Sequence, residues 1–140
     1  MENRPLCEFA DNDGEVDAFC KVIENKHTFL RFRYVREDGL PAAYIPDFLV
    51  RFGDDIYLVE TKAQDNLSNE NVKRKQRSAC SWVDRINKLP SEKREGKTWH
   101  YAMLGDGTFN SLRNRRATLR DMLNLAELRN ESVVNSGRLF

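Results

Sequence analysis

Apolar and polar positions follow several different periods along the chain. In "EVDAFCKVIENK", Val16, Phe19, Cys20 and Ile23 recur at helical spacing, which predicts a helix from about Glu15 to Asn25. Residues 1–14 before it read as irregular, with "DNDG" as a turn or cap. "TFLRFRYVR" sets Phe32 and Tyr34 against Arg31 and Arg33, a strand alternation that Gly39 and Pro41 bring to an end. "YIPDFLVRFGDDIYLVETKAQ" predicts two further strands, about 44–52 and 55–62, around the turn "GDD". In "ENVKRKQRSACSWVDRINK", Val72, Ala79, Val83 and Ile86 share one face with Trp82 beside it, predicting a second helix ended by "LPSEKREGK". "TWHYAML" is another strand and "GDGTFN" a loop. "TLRDMLNLAELRN" is a last helix, opened by Thr118 and Asp121 and striped by Leu119, Met122, Leu123 and Ala126. Helix, three strands, helix, strand and helix in that order predict a mixed α/β or α+β domain.

Composition narrows the class without naming a function. With 140 residues, 40% hydrophobic and 32% charged, the chain is expected to be one domain with its own core, residues 1–140. No apolar run is long enough to span a bilayer, and "MENRPLCEFADNDG" has no signal-peptide core, so a cytoplasmic protein without membrane contact is expected. Cys7, Cys20 and Cys80 have neither paired nor metal-ligand spacing, which predicts reduced thiols and no zinc site. The net charge of +1 decides nothing about nucleic acid, and the basic clusters "LRFRYVR", "VKRKQR" and "LRNRR" read equally as solvated surface.

The hairpin carries the chemistry. If Gly53-Asp54 is a two-residue II′ turn, Phe52 faces Asp55, Asp47 faces Glu60 and Ile45 faces Lys62. Asp47, Glu60 and Lys62 then project from one side, an arrangement that a three-residue loop would destroy. Directly opposed carboxylates would have Cβ atoms about 4.5–5.5 Å apart and repel unless a cation lies between them or one is protonated. Two carboxylates sharing a hard cation that keeps its waters describe a magnesium site, and a lysine on the same face suits a role in orienting a water or balancing phosphate charge. Those are the parts of phosphodiester hydrolysis. The structural alternative is a polar strand edge. The apolar "FLV" and "IYLVE" argue instead for a hairpin covered on both faces, where charges need a reason.

Pro46-Asp47, twelve residues and then Glu60-Thr61-Lys62 resemble the PD-(D/E)xK signature of the restriction-endonuclease-like nucleases. The superfamily core is αβββαβ, a central mixed sheet flanked by helices, and the predicted order follows it from about residue 15 to 105. A C-terminal loop and extra helix, 106–130, and a tail, 131–140, come after. "YIPDFLVRFGDDIYLVETKAQ", "VKRKQRSACSWVDRIN" and "GKTWHYAML" together resemble the C-terminal nuclease domain of type III restriction enzyme Res subunits. There the domain follows a helicase-type motor. The chain lacks room for one and has no phosphate loop, so an excised domain is expected in preference to a free-standing relative.

The resemblance implies Asp47 and Glu60 as metal ligands with the Thr61 carbonyl, and Lys62 as the catalytic lysine. Such families often add an acid from the first helix, and Glu15 is the matching position. Its alternative reading is a first-turn acid favoured by the helix dipole, and Asp13 and Asp17 are weaker candidates. Lys75 and Gln76 occupy helix positions that related nucleases hold near the active centre or nucleic-acid backbone. Lys73, Arg74 and Arg77 suit phosphate contacts. As ordinary surface or boundary residues these five need no such role. Trp82 and Trp99 read as core, and His27 and His100 receive no assignment.

The resulting expectation is a Mg2+-dependent endonuclease domain, with Mn2+ able to substitute, that hydrolyses phosphodiesters of double-stranded DNA. A type III relationship adds the motor of the parent chain and a modification subunit as partners. Cutting both strands needs two active sites, hence self-association or paired complexes. The rival readings are a catalytically silent nucleic-acid- or partner-binding module, an exonuclease or resolvase of the same fold, and a plain structural domain.

Overall fold

Residues 4–22, 31–62 and 69–136 are described by the computed structural model. The chain opens with helix α1 (Arg4–Asp11), whose Leu6 and Ala10, one turn apart, are both buried. A turn region follows in which Asp13 does the work of a cap: Oδ1 accepts from Glu15 N at 2.9 Å and Oδ2 from Leu119 N at 3.0 Å. The backbone is then extended into strand β1 (Ala18–Lys21). The helix expected from Glu15 to Asn25 is therefore a turn and an edge strand as far as Val22, and 23–25 lie outside the described residues. Val16 and Phe19 do reach the core, with Phe19 tilted against Phe48 at 5.0 Å, but from strand and loop positions.

Three further expectations are corrected. The stretch 44–52 is not one strand: it divides at Ile45-Pro46-Asp47 into β3 (Pro41–Tyr44) and β4 (Phe48–Phe52). Strand β2 (Phe32–Val35) pairs with β3 as a separate two-stranded ribbon and is not part of the main sheet. "GDGTFN", expected as a loop, lies in helix α3 (Asp106–Asn114), which buries Phe109 edge-on to Phe9 at 5.7 Å. Its two glycines disguised an apolar pair, Phe109 and Leu112, at helical spacing.

The main sheet has the order β1–β4–β5–β6, with β5 at Asp55–Lys62 and β6 at Thr98–Gly105. The first two pairings are antiparallel and β5 to β6 is parallel, joined across helix α2 (Glu70–Asn87). Leaving the ribbon aside, the chain up to Gly105 runs helix, three strands, helix, strand. It reaches the expected sequence of elements through a different helix and a different first strand, with the core beginning at α1, ahead of residue 15. The hairpin register is as expected, Phe52 to Asp55 and onward to Phe48 with Val59. Gly53 has φ +60 and Asp54 does not share a positive φ, as a II′ turn requires.

Both faces of the sheet are covered, which is why the middle of central β5, Ile56 to Val59, is an unbroken apolar run. On one face Phe48, Val50, Phe52, Tyr57, Val59, Ala102 and Leu104 meet α1, α3 and helix α4 (Leu119–Ser136). On the other, Leu58, Tyr101 and Met103 meet Val72 and Ala79 of α2 and Phe32 of the ribbon. Helix α2 starts where Asn69 accepts from Asn71 N and Val72 N, and it buries Val72, Gln76 and Ala79 at one-turn spacing. At the outer edge of β6, Asn87 bonds both the N–H and the C=O of Trp99, and Asn130 donates to Tyr101 O at 2.7 Å.

Candidate active site at the end of the hairpin

Alternation along β5 turns Tyr57 and Val59 to the α4 side and Leu58, Glu60 and Lys62 to the α2 side. Glu60 is thus carried beneath α2, 5% exposed, by the same periodicity that buries its apolar neighbours. Lys62 Nζ lies 3.4 Å from Glu60 Oε1. Oε2 is buried and has no hydrogen-bond partner among the described residues. Burial pushes the Glu60 carboxyl up to about 7, and the charge of Asp47 adds to this. Lys62 and then Lys75 pull it back down.

Asp47 enters the site differently from the expected direct opposition to Glu60. Its N–H donates to Val59 O at 3.0 Å, and Val59 is already the partner of Phe48. Two residues stand against one, the pattern of a β-bulge, so the strict ladder stops at Phe48 and Asp47 is re-aimed. Its Oδ2 accepts from both Thr61 N and Thr61 Oγ1, each at 2.8 Å. The N–H and C=O of one strand residue point to the same edge. The Thr61 carbonyl therefore faces the Asp47 side, beyond the last regular pairing of β4.

Lys75 approaches from α2. Burial, followed by the like charge of Lys62, lowers its ammonium below the usual lysine range, and Glu60 opposes that shift. The ammonium lies 5.5 Å from the Tyr44 ring centroid and 5.7 Å from that of Tyr34, so the β2–β3 ribbon supplies aromatic faces to it. The Tyr44 hydroxyl donates to Lys75 O at 2.9 Å and ties ribbon to helix.

The other expected site residues are not gathered here. Glu15 is exposed, in the turn ahead of β1, whose Ala18 pairs with Arg51 close to the Gly53 turn. Asp47 lies four residues before Arg51, just ahead of β4 and roughly 13 Å away at strand rise, where Val22 N bonds its carbonyl. Asp13 and Asp17 are occupied at the same distant end, Asp17 by the amide of Gly53. Gln76 is buried, with Nε2 donating to Asn130 Oδ1 at 2.7 Å, which directs it into the α2–α4 contact. Arg77 pairs with Glu70 at 3.6 Å, Arg74 with Glu70 at 3.3 Å and with Val35 O at 3.2 Å, and Lys73 is half-buried on the same helix.

Among the described residues no three His, Cys, Asp or Glu side chains converge as a metal cluster. The set that fits a divalent cation is smaller: Asp47, the unpartnered oxygen of Glu60 and the Thr61 carbonyl, all hard oxygen donors suited to Mg2+ with waters retained. Cys7, Cys20 and Cys80 form no disulfide, and burial pushes Cys80 up to about 12.

Sequence reasoning left His100 without a role, and it lies in a second polar cluster. Nδ1 is 2.6 Å from Glu127 Oε2, Nε2 is 2.9 Å from Asp55 Oδ1, and the ring stacks on Tyr57 at 4.4 Å. Arg120 holds the other Asp55 oxygen at 2.9 Å. These partners come from β5, β6 and α4, so no local spacing could have announced them.

Comparison with protein-family models, curated proteins and solved structures finds no match to this chain. No helix among the described residues is long and apolar enough to cross a membrane.

Proposed function

We propose that this chain is a Mg2+-dependent endonuclease domain acting on double-stranded DNA, the cleavage domain of a type III restriction enzyme Res subunit. The observation that carries the reading is the Glu60 oxygen, buried without a hydrogen bond among the described residues, beside Asp47 and on the same strand face as Lys62. Buried polar atoms without a partner are few in folded proteins, and a carboxylate oxygen among them calls for an explanation. The strand order β1–β4–β5–β6 with one parallel pair supports the reading, because it ends the hairpin where α2 and the ribbon also converge.

Asp47, Glu60 and the Thr61 carbonyl would hold the metal, with Mn2+ able to replace Mg2+. When bound, the metal supplies Lewis-acid polarisation of the phosphodiester. Lys62 positions the attacking water and offsets charge as it develops on the phosphoryl oxygens. Lys75, held by the ribbon aromatics, adds a second cation on the α2 side for the phosphate backbone. The parent motor, the modification subunit, pairing of two domains for double-strand cleavage and a cytoplasmic setting belong to this proposal.

One observation favours a second reading, a binding module without catalysis. Glu15 lies at the far end of the sheet, so among the described residues the acid set stops at two side chains. Nicking of supercoiled plasmid in Mg2+ or Mn2+ by wild type, Asp47→Ala and Lys62→Ala decides between them. Metal-dependent nicking lost in both variants supports the nuclease. Metal binding without nicking, in a chain rejoined to its motor, supports the module. Linear and branched substrates run alongside separate an endonuclease from an exonuclease or resolvase.

A further inference from the structure

We propose that Thr61 is a positioning residue: its hydroxyl and amide clamp one oxygen of Asp47 and present the other, Oδ1, to the cation. The inference rests on the reading of Asp47 as a metal ligand.

Three observations build it. Both Thr61 donors converge on the same oxygen, Oδ2, at 2.8 Å each. Hydrogen bonds to a carboxylate are among the stronger ones, and two of them to one atom fix the side-chain torsion. Oδ1 makes no hydrogen bond among the described residues. Thr61 is itself 8% exposed, so the clamp works in a partly dry environment where water competes poorly for Oδ2.

The bulge explains why the clamp is needed. Asp47 has left the regular ladder, with its N–H shared onto Val59 O, so strand pairing no longer dictates where its side chain points. Thr61 replaces that lost constraint. The Thr61 hydroxyl matters chemically here, because a β-branched residue alone would satisfy strand packing. Valine has the same shape without the donor, and serine has the donor without the branch. A ligand held in one rotamer before the cation arrives loses less freedom on binding.

The test uses wild type, Thr61→Val and Thr61→Ser. Side-chain coupling constants from NMR of the metal-free proteins report the Asp47 χ1 rotamer, and Mn2+ titration calorimetry reports affinity. Wild type and Thr61→Ser are expected to hold a single χ1. Thr61→Val is expected to average between rotamers and bind Mn2+ about tenfold more weakly, the range typical of residues that orient a ligand. Rescue by serine separates the hydroxyl from packing, since serine is the worse fit to the strand. A single fixed rotamer in Thr61→Val would overturn the clamp. So would rotamer averaging with unchanged Mn2+ affinity, since the clamp would then position nothing. If wild type holds the rotamer but binds no Mn2+, the metal-ligand reading of Asp47 fails, and this proposal fails with it.

Discussion

Lys62 and Glu60 are paired on one face of β5 at 3.4 Å, yet the pairing serves only Oε1 and leaves Oε2 buried without a partner among the described residues. Burial, with the charge of Asp47 adding to it, raises the carboxyl from 4.5 to about 7 against the pull of Lys62. The native state then holds the proton more tightly than the unfolded chain does. Stability from this group is fully present below pH 4.5 and declines as pH rises to 7, by roughly 3 kcal/mol in all. Glu60→Gln cannot ionise, so its metal-free denaturation midpoint is expected to exceed that of wild type at pH 8 and to match it near pH 4.5. Equal midpoints at pH 8 would show that the carboxylate is not strained.

Divalent cations are expected to reverse that strain. Mg2+ or Mn2+ at ten times the dissociation constant stabilises a folded protein by about 1.4 kcal/mol. Thermal melts should show this gain in wild type, more at pH 8 than at pH 6, because the cation competes with the Glu60 proton. Asp47→Asn and Glu60→Gln should show no gain at either pH. An equal rise in all three proteins would place the bound ion elsewhere.

His100 is expected to act as a pH-dependent tie between β6, β5 and α4. Burial alone would lower its pKa, but the hydrogen bonds to Glu127 and Asp55 outweigh burial and raise it above 6.5. A raised histidine contributes stability that is fully present below the unfolded value of about 6.5 and is lost as pH climbs through the folded value. His100→Asn should therefore lose more stability relative to wild type at pH 5.5 than at pH 8.5. Chemical denaturation at the two pH values checks it, and a pH-independent difference would sink the idea.

Gln76 is expected to govern stability, with no direct part in DNA contact. Gln76→Leu leaves Asn130 Oδ1 without the donor it has at 2.7 Å, a loss on the order of 1–3 kcal/mol. Lys75→Gln, by contrast, should weaken DNA binding several-fold and reduce its salt dependence while sparing the fold. Filter binding at two salt concentrations, beside urea melts, distinguishes the two positions.

Helices α2 and α4 were legible from their apolar stripes, and the hairpin from a period of two. Gly53 next to Asp54 fixes an even turn, and from there each pairing down to Phe48 and Val59 follows, as does the shared face of Glu60 and Lys62. What strict alternation could not supply is the bulge at Asp47, where the backbone and Thr61 override the ladder. Val16, Phe19 and Cys20 misled for a different reason. Their helical spacing is real, but Asp13 and Asp17 spend their carboxylates on distant amides, Leu119 and Gly53, and hold the segment extended beside β4. Glu15 was lost to the site by the same error. α3 was hidden by its glycines, and the His100 cluster exists only once three separate elements are packed.

The side-chain amides along β6 bear on how this domain meets other chains. A strand at the border of a sheet ordinarily offers a row of unpaired donors and acceptors that an incoming peptide can zip onto. Asn87 takes both main-chain groups of Trp99 and Asn130 takes the carbonyl of Tyr101, so two asparagines stand in for the missing neighbour. Those three main-chain groups are taken, which leaves an incoming strand fewer places to pair on that flank. On the opposite flank β1 is four residues long and ends in a lysine, Lys21, which makes a short and charged template. Both borders thus discourage edge-to-edge pairing, one by partial capping and the other by brevity and charge.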